Sequence, residues 1–408
     1  ASSAESPIPS PSLIPLEPMQ VSDAAQALLE VADEKALIDL FGRKHTYLRV
    51  SLTEKCNFRC VYCMPEEGVE LTPRAKLPSL EERKRLLDIF ARLGVKKLRF
   101  TGGEPTVSNQ LLPLLQHAQT LREPGASRSV FHSVGITTNG FSLKQQVRGL
   151  VSAGLTSVNI SLDSLQESKF AKLTRRDGKA MLKVLAALYA ALDAGLHTKI
   201  NCVLMAGTND DELADFIKLT RDMRIDVRFI EYMPFDGNKW DSAQLVGYRS
   251  AMQRLELEHG ILLQPADGID AKKKTQQEKS GDQVSSSNDS GALTGHYNDA
   301  RDANDTTKWY RAPGHVGRVG FISTMTDHFC GSCNRLRLTA DGKLKVCLFG
   351  DEGLSLLDCL RSGMTDTQVI AEMAAAVRRK AERLGGEESA IDLANVERQN
   401  RPMIMIGG

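Results

Sequence analysis

Between residues 46 and 233 the chain alternates short β-branched runs with longer amphipathic stretches, a pattern typical of strands joined by helices. The predicted strands are residues 46–53, 96–101, 130–137, 157–162, 198–204 and 226–231. Ser79 and Glu82 form a capping-box pattern at the start of one helix, and Gly94 follows its expected end. Such strands pair in parallel. A complete barrel of this kind needs eight strands, so the pattern alone leaves an open sheet and a barrel as alternatives.

Beyond residue 233 the alternation weakens, and residues 265–307 form a polar stretch rich in Ser, Asp, Asn and Lys. Such a stretch buries too little apolar surface to offset its ordering entropy, so it is predicted to be a disordered insertion. Strand-like runs resume at 309–311, 316–322 and 334–338, and a helix is predicted at 367–384. We therefore expect a partly flexible N-terminal extension (1–44), a main α/β unit (45–240) and a C-terminal region (241–408).

The overall charge excludes some functions. The chain has 52 basic and 51 acidic side chains, so no global field favours nucleic acid or an anionic membrane surface. No apolar run reaches the roughly 20 residues that span a bilayer. The first residue is Ala1, and we expect an upstream segment to have been removed. The Ser- and Pro-rich residues 1–18 resemble a flexible lead-in more than a transit peptide.

Six of the eight cysteines fall into two groups of three. Cys56, Cys60 and Cys63, the N-terminal cysteine group, follow the first predicted strand directly. A disulfide framework suits short secreted chains and is disfavoured here. Thiolates select zinc, copper or iron–sulfur clusters, and a structural zinc site needs four ligands. Three ligands suit a cubane that keeps one iron open, and His45 is an improbable fourth ligand.

Cys330, Cys333 and Cys347 make up the C-terminal cysteine group. This group is also one ligand short of a zinc ribbon, for which Cys359 and His328 are the nearby candidates. The number of ligands alone therefore leaves zinc as an alternative at this second site.

The N-terminal pattern CxxxCxxC, with an aromatic residue before its third cysteine, resembles the radical S-adenosylmethionine superfamily. The sequence Gly-Gly-Glu-Pro at 102–105 matches that family's GGE element. The resemblance implies a 4Fe-4S cluster, S-adenosyl-L-methionine bound at its open iron, and an incomplete (β/α)6 TIM-like barrel. The residues that match the family's cofactor contacts are Tyr62, Gly102, Gly103, Glu104, Ser161 and Met233.

The C-terminal group, with Arg335 and Arg337 after its CxxC, resembles the C-terminal pattern of the GTP 3',8-cyclase family. The resemblance implies a C-terminal extension that carries a second 4Fe-4S cluster, whose open iron side binds the purine of GTP. Arginine and lysine suit phosphate oxygens. The expected GTP-binding residues are Arg49, Lys97, Arg99, Thr137, Lys199, Arg228, Arg335 and Arg337, and the expected catalytic residues are Cys56, Cys60, Cys63, Arg335 and Arg337.

In that family a 5'-deoxyadenosyl radical abstracts hydrogen from C3' of GTP, and the product 3',8-cyclo-7,8-dihydro-GTP begins molybdenum cofactor biosynthesis. The resemblance implies an electron donor and a downstream cyclic pyranopterin monophosphate synthase as partners, and leaves a homodimer open. It also implies that the terminal glycine pair, 407–408, reaches into the active site. The extension and insertion suggest a eukaryotic protein of the mitochondrial matrix, the alternative being a cytoplasmic one. The rival functions are a two-cluster enzyme that modifies peptides and a non-catalytic zinc-binding module.

Overall fold

The computed structural model describes residues 19–30, 33–123, 125–266, 305–350, 353–387, 392–393 and 402–407. The strands are β1 (Tyr47–Ser51), β2 (Lys97–Thr101), β3 (Ser133–Thr138), β4 (Ser157–Ser161), β5 (His197–Leu204), β6 (Asp226–Glu231), β7 (Gln264–Pro265), β8 (Lys308–Arg311), β9 (Arg318–Ile322), β10 (Arg335–Leu338), β11 (Lys343–Lys345) and β12 (Leu354–Ser355). The helices are α1 (Asp23–Gln26), α2 (Asp33–Ala36), α3 (Leu80–Arg92), α4 (Leu111–Thr120), α5 (Leu143–Ser152), α6 (Glu167–Thr174), α7 (Ala180–Asp193), α8 (Leu213–Lys218), α9 (Tyr248–His259), α10 (Leu356–Arg361), α11 (Asp366–Arg378) and α12 (Met403–Ile406).

These strands form one sheet in the order β12-β11-β10-β1-β2-β3-β4-β5-β6-β9-β8-β7. Strands β1 to β6 pair in parallel in chain order, as the βα pattern predicts, and build a partial TIM-like barrel. The C-terminal region adds one parallel strand at each side, β10 next to β1 and β9 next to β6. In the described part of the chain these two strands continue into antiparallel partners rather than pairing with each other. The barrel is therefore incomplete.

Alternation along each strand separates the core from the cavity. In β1, Leu48 and Val50 are fully buried in the hydrophobic core beneath the helices. The residues that alternate with them, Tyr47 and Arg49, point to the opposite face of the sheet and line a cavity. This two-residue period is what a strand imposes on neighbouring side chains. No helix within the described ranges is long and apolar enough to cross a membrane.

The predicted elements agree with the structure apart from their ends. The capping box of α3 is present, since Ser79 and Glu82 exchange both of its hydrogen bonds. The helix predicted at 367–384 is wrong at its C-terminal end, because it ends at Arg378. Lys380 lies beyond this end of the helix and forms contacts described below. Of the predicted disordered insertion, residues 267–304 lie outside the described part of the chain.

Candidate active site

Polar side chains from neighbouring strands lie side by side because the strand register aligns them. Arg49 on β1 is level with Arg99 on β2 and with Arg337 on β10. In the same way Thr137, Asn159 and Lys199 are level across β3, β4 and β5. All these residues line a cavity of about 240 Å³. The cavity lining includes every residue that the sequence predicts to bind GTP: Arg49, Lys97, Arg99, Thr137, Lys199, Arg228, Arg335 and Arg337.

The N-terminal cysteine group lines the same cavity at the carboxyl end of β1. The loop that carries it is held by the end of α6, since backbone N–H groups of Arg59 and Val61 donate to the carbonyls of Thr174 and Leu173. Arg175, in the left-handed conformation with φ 50°, donates to two further carbonyls of this loop. The loop geometry is therefore fixed by protein contacts alone.

The three thiols of this group suit an iron–sulfur cluster. Burial raises the pKa of Cys63 to about 12 and the pKa values of Cys56 and Cys60 as well. The thiols therefore stay protonated until a bound metal displaces the proton. The backbone N–H of Phe58 donates to Cys56 Sγ at 3.4 Å, a bond that stabilises a thiolate ligand. The donor set and its surroundings fit a cluster with one open iron.

Five of the six residues expected to hold S-adenosylmethionine line the cavity next to these thiols: Tyr62, Gly102, Gly103, Ser161 and Met233. A Cβ at Gly103 would lie 2.4 Å from the carbonyl oxygen of Lys55, so only glycine lets the backbone pass here. The sixth residue, Glu104, lies behind the cavity wall. Its carboxylate accepts hydrogen bonds from Thr106, Thr138 and the backbone of Asn139.

A buried carboxylate that the sequence prediction missed supports Tyr62. The hydroxyl of Tyr62 donates to Asp163 Oδ2 at 2.8 Å, and the backbone N–H of Val203 donates to Asp163 Oδ1 at 2.8 Å. Burial raises the pKa of Asp163 to about 6. Its position two residues after Ser161, at the end of β4, was the only sequence signal that could have identified it.

The C-terminal cysteine group lies at the amino end of β10. Cys330–Ser332 form a short 3-10 helix just before that strand, and Cys347 follows β11, which is antiparallel to β10. Two sulfur atoms accept hydrogen bonds, Cys330 from the backbone N–H of Leu384 at 3.4 Å and Cys333 from Lys380 Nζ at 3.5 Å. Phe329 and Leu348, which neighbour the cysteines, line the cavity. Donors aimed at sulfur suit thiolate ligands.

All eight cysteines are free thiols. In the part of the chain that the structure describes, no three His, Cys, Asp or Glu side chains are arranged around a single ion.

The two cysteine groups lie at opposite ends of adjacent parallel strands. The N-terminal group follows the carboxyl end of β1, and the CxxC of the C-terminal group precedes the amino end of β10. Tyr47 pairs with Arg335 and Val50 with Leu338 in this register. A strand of this length spans about 16 Å at roughly 3.3 Å per residue. The polar residues of the cavity wall occupy the space between the two groups.

The cations of this wall repel one another. Burial and the neighbouring guanidinium groups lower the pKa of Arg49 to about 9 and of Arg228 to about 10. Burial and Arg335 lower the pKa of Arg337 to about 10, and burial lowers the pKa of Lys199 to about 8. The protein therefore keeps an excess of positive charge away from water, an arrangement that an anionic ligand stabilises.

Unpaired polar atoms gather at the same place. Among the described residues, the buried side-chain nitrogen and oxygen atoms that lack a hydrogen-bond partner include Arg49 Nε, Thr101 Oγ1, Thr137 Oγ1, Asn159 Oδ1, Arg335 Nε and Arg337 Nη1, all from residues of the cavity wall. Buried polar groups are nearly always paired, so this concentration indicates a site for a polar ligand.

Tyr47 was not predicted as a site residue. Its hydroxyl accepts a hydrogen bond from Arg99 Nε at 2.9 Å. Burial alone would raise its pKa, but Arg99, Arg49 and Lys97 outweigh burial and bring the pKa down to about 6. The lowered pKa of Tyr47 thus reflects the positive charge of the cavity wall. Its place two residues before Arg49, on the same face of β1, was the available signal.

Asp305 and Thr306 were also missed, because they fall within the stretch predicted to be a disordered insertion. Both line the cavity, and Arg335 Nη2 donates to Thr306 Oγ1 at 2.6 Å. The carboxylates Asp226 and Asp305 offset part of the positive charge, Asp226 through an ion pair with Lys199 at 3.2 Å.

The C-terminal tail packs against the ends of β1 and β2. Gly407 is left-handed, with φ 84°, and its carbonyl oxygen lies 3.5 Å from Arg49 Nη2. A Cβ at this position would lie 2.9 Å from both Ser51 Cβ and Thr101 Oγ1. Met403, at the start of α12, lines the cavity. Gly407 thus lies beside the cavity wall, while Gly408 is outside the described residues.

Two family models match the chain. Residues 50–220 match the radical SAM superfamily, and residues 261–385 match Molybdenum Cofactor Synthesis C. The first match contains the N-terminal cysteine group, and the second contains the C-terminal cysteine group.

Relatives with related names cover most of the chain. "GTP 3',8-cyclase, mitochondrial" of Arabidopsis thaliana is 43% identical over 91% of this chain and 83% of its own length. "GTP 3',8-cyclase" of Desulforamulus reducens is 35% identical over 91% of this chain and 100% of its own length. "Molybdenum cofactor biosynthesis protein 1" of Drosophila melanogaster is 44% identical over 84% of this chain, which spans only 54% of the fly protein. The chain thus spans about half the length of the relatives that carry this last name.

Proposed function

Because the chain belongs to the GTP 3',8-cyclase family of radical S-adenosylmethionine proteins, we propose that it cleaves S-adenosylmethionine reductively and cyclises GTP. The product would be 3',8-cyclo-7,8-dihydro-GTP, the first intermediate of molybdenum cofactor biosynthesis. The barrel at 45–240 would hold S-adenosylmethionine, and the region 241–408 would complete the GTP site.

The observation that carries this proposal is the buried excess of positive charge between the two cysteine groups. Seven cations reach the cavity, and the carboxylates Asp226 and Asp305 balance only part of their charge. A nucleoside triphosphate supplies several negative charges and many acceptor oxygens to such a wall. A peptide substrate has no comparable need for this set of cations.

The N-terminal cysteine group would hold one [4Fe-4S] cluster, and the C-terminal group a second. When bound, the first cluster and S-adenosylmethionine supply a 5'-deoxyadenosyl radical and methionine at the cost of one electron. The protein positions the cofactor: Gly102 and Gly103 let the backbone approach closely, and Asp163 orients Tyr62 beside the cysteines. Glu104 fixes this loop through its bonds to Thr138 and Asn139.

GTP would lie between the two cysteine groups, with its purine toward the C-terminal group and its phosphates against the cations. Hydrogen from C3' of GTP would be transferred to the 5'-carbon of the deoxyadenosyl group, and C3' would then bond to C8 of the purine. The radical that this bond leaves at N7 of the purine would take up one further electron from the electron donor and one proton, which gives the 7,8-dihydro product. The side chains fix this geometry and keep water away from the reacting carbons, which a radical reaction requires. A role of Arg337 in holding GTP is supported by its buried Nη1, which has no hydrogen-bond partner within the described ranges.

GTP deuterated at C3' tests the proposal directly. Reconstituted protein would be incubated without oxygen with this substrate, S-adenosylmethionine and dithionite, followed by mass spectrometry of the 5'-deoxyadenosine. We expect one deuterium per 5'-deoxyadenosine formed, and GTP deuterated at C2' serves as the matched control. Unlabelled 5'-deoxyadenosine from the C3' substrate would rule out the proposed abstraction and favour a peptide substrate.

The tail offers a second test. Gly407→Ala adds a Cβ that meets Ser51 and Thr101 at 2.9 Å, on a residue with φ 84°. Strain of about 1–3 kcal/mol is expected to displace the short tail rather than unfold the barrel. We expect GTP cyclisation to fall about tenfold while the melting temperature stays nearly constant.

Gly314→Ala is the matched control for this change. Gly314 has a similar φ of 79°, but nothing lies within 4 Å of an added Cβ. Both variants carry the backbone strain, and only the variant at Gly407 carries the clash. Equal cyclisation rates in Gly407→Ala, Gly314→Ala and the unchanged protein would show that the tail has no part in the reaction.

We also propose partners and a location. The reaction needs an electron donor, and its product suits a cyclic pyranopterin monophosphate synthase acting next. A mitochondrial plant relative supports a mitochondrial location, which immunofluorescence of the whole protein would test. A cytosolic signal would refute that location without affecting the proposed chemistry.

A further inference from the structure

Lys380 is a buried cation outside the cavity wall, beside the C-terminal cysteine group. It is 4% exposed, and its Nζ contacts three acceptors: Cys333 Sγ at 3.5 Å, His45 Nε2 at 2.9 Å and the carbonyl oxygen of Arg335 at 3.2 Å. An ammonium group has three N–H donors, so each of them has an acceptor. No carboxylate in the described part of the chain forms an ion pair with Lys380. Its nearest negative charge would be a thiolate.

His45 directs this ammonium toward the sulfur. The side chain of His45 is fully buried, and its Nδ1 lies 3.1 Å from the carbonyl oxygen of Leu37. Nδ1 must donate to this carbonyl, which leaves the lone pair on Nε2 to accept from Lys380. Burial and the charge of Lys380 lower the pKa of His45 to about 4, so the ring is neutral. The tautomer of His45 is therefore fixed by the backbone, and Lys380 Nζ is held by both His45 and Cys333.

The segment before the barrel, residues 37–45, also contacts the CxxC turn and the residues that follow Lys380. Arg43 donates to the carbonyl oxygens of Cys330 at 2.8 Å, Ala381 at 2.9 Å and Glu382 at 2.7 Å. Asp39 in turn binds Arg43 Nε at 2.6 Å. Residues 37–45 thus bind both the CxxC turn and residues 380–382. Residues 380–384 in turn supply a hydrogen bond to each sulfur of the CxxC, Lys380 to Cys333 and Leu384 to Cys330.

We propose that Lys380, held by His45, is a positioning residue that raises the reduction potential of the cluster on the C-terminal cysteine group. The inference rests on the proposed function only in that this group carries a cluster. Reduction adds negative charge to a cluster, and a hydrogen-bonded cation beside a ligand sulfur stabilises that charge. Lys380 touches the ligand Cys333 and not the cavity, so it acts through the cluster rather than on GTP.

The test is the midpoint potential of this cluster alone. It would be measured by potentiometric titration with electron paramagnetic resonance in a full chain with Cys56, Cys60 and Cys63 changed to Ser. In this background we expect Lys380→Met to lower the ratio of reduced to oxidised cluster about tenfold at fixed potential, a fall of about 59 mV for one electron. We expect Lys380→Arg, which keeps charge and donors, to retain the original potential. An unchanged potential in Lys380→Met with full iron content would overturn the proposal.

If the Lys380→Met variant does not assemble the cluster, the Lys380→Gln variant tests the proposal instead. It keeps an N–H donor without the charge, so its potential should fall below those of Lys380→Arg and the unchanged protein. Equal potentials in these three proteins would contradict the role of the charge. The measurement uses neither GTP nor S-adenosylmethionine. A failed deuterium transfer would therefore refute the proposed function and leave this result standing, and the reverse also holds.

Discussion

Replacing Cys56 by Ser is expected to abolish 5'-deoxyadenosine formation and to lower the iron content of reconstituted protein from about eight to about four atoms per chain. Cys56 lines the cavity, and its sulfur accepts hydrogen bonds from the backbone of Phe58 and from Asn139. A cubane held by three thiolates has no substitute ligand when one is lost. Iron and sulfide analysis with a single-turnover assay measures both effects.

Cys359→Ser is the matched control for this change. Cys359 is fully buried in helix α10 within the hydrophobic core and belongs to neither cysteine group. Burying a hydroxyl there costs about 1–3 kcal/mol of stability and should leave the iron content near eight. If Cys56→Ser produced 5'-deoxyadenosine at the normal rate, the assignment of the first cluster would be wrong.

Arg337→Ala is expected to uncouple S-adenosylmethionine cleavage from GTP cyclisation. Arg337 is 8% exposed, on β10 beside Arg49 of β1, and the described residues leave its Nη1 without a partner. Removing a charge-assisted bond worth about 1.5–3 kcal/mol should weaken GTP binding about 10- to 100-fold. S-adenosylmethionine cleavage should continue without cyclisation. Calorimetry with GTP and the ratio of 5'-deoxyadenosine to cyclised product measure both expectations.

Two further variants serve as controls for Arg337→Ala. Arg337→Lys keeps the charge but loses the planar fork of donors, so an intermediate GTP affinity is expected. Arg92→Ala removes an exposed arginine that pairs with Asp33, away from the cavity, and should leave GTP binding unchanged. Tight coupling of cleavage to cyclisation in Arg337→Ala would contradict its role in holding GTP.

Local patterns predicted most of the barrel, because the signals of its strands and helix caps lie within a few residues of one another. The third strand shows where this reasoning fails. Val130 and Phe131 are apolar and buried, as in a strand, but the N–H of Val130 bonds to Leu121 at the end of α4. Strand β3 therefore begins only at Ser133. Apolar character predicts burial and does not identify the hydrogen-bond partner.

The two cysteine groups and the strand cations could be singled out from the sequence because their spacing and alternation are local, and the cations line one cavity in the structure. Asp305 and Lys380 were not singled out, since their contacts are with residues distant in sequence. Tyr47 was missed although its alternation with Arg49 along β1 is local. Lys380 contacts His45 across 335 positions, and it lies beyond the last turn of α11. An apolar-periodic stretch extends through this region, which is why the sequence overestimates the helix.

The position of β1 between β2 and β10 has a consequence for synthesis of the chain. Among the described strands β1 is the first to be synthesised, yet its neighbour β10 is synthesised much later. Asn334 bonds to Thr46 across 288 positions. At 5–20 residues per second, β1 waits about 15 to 60 s with one edge open. An open strand edge can pair with other chains. Nascent chains that stop before β10 would therefore be the form most exposed to aggregation and most dependent on chaperones.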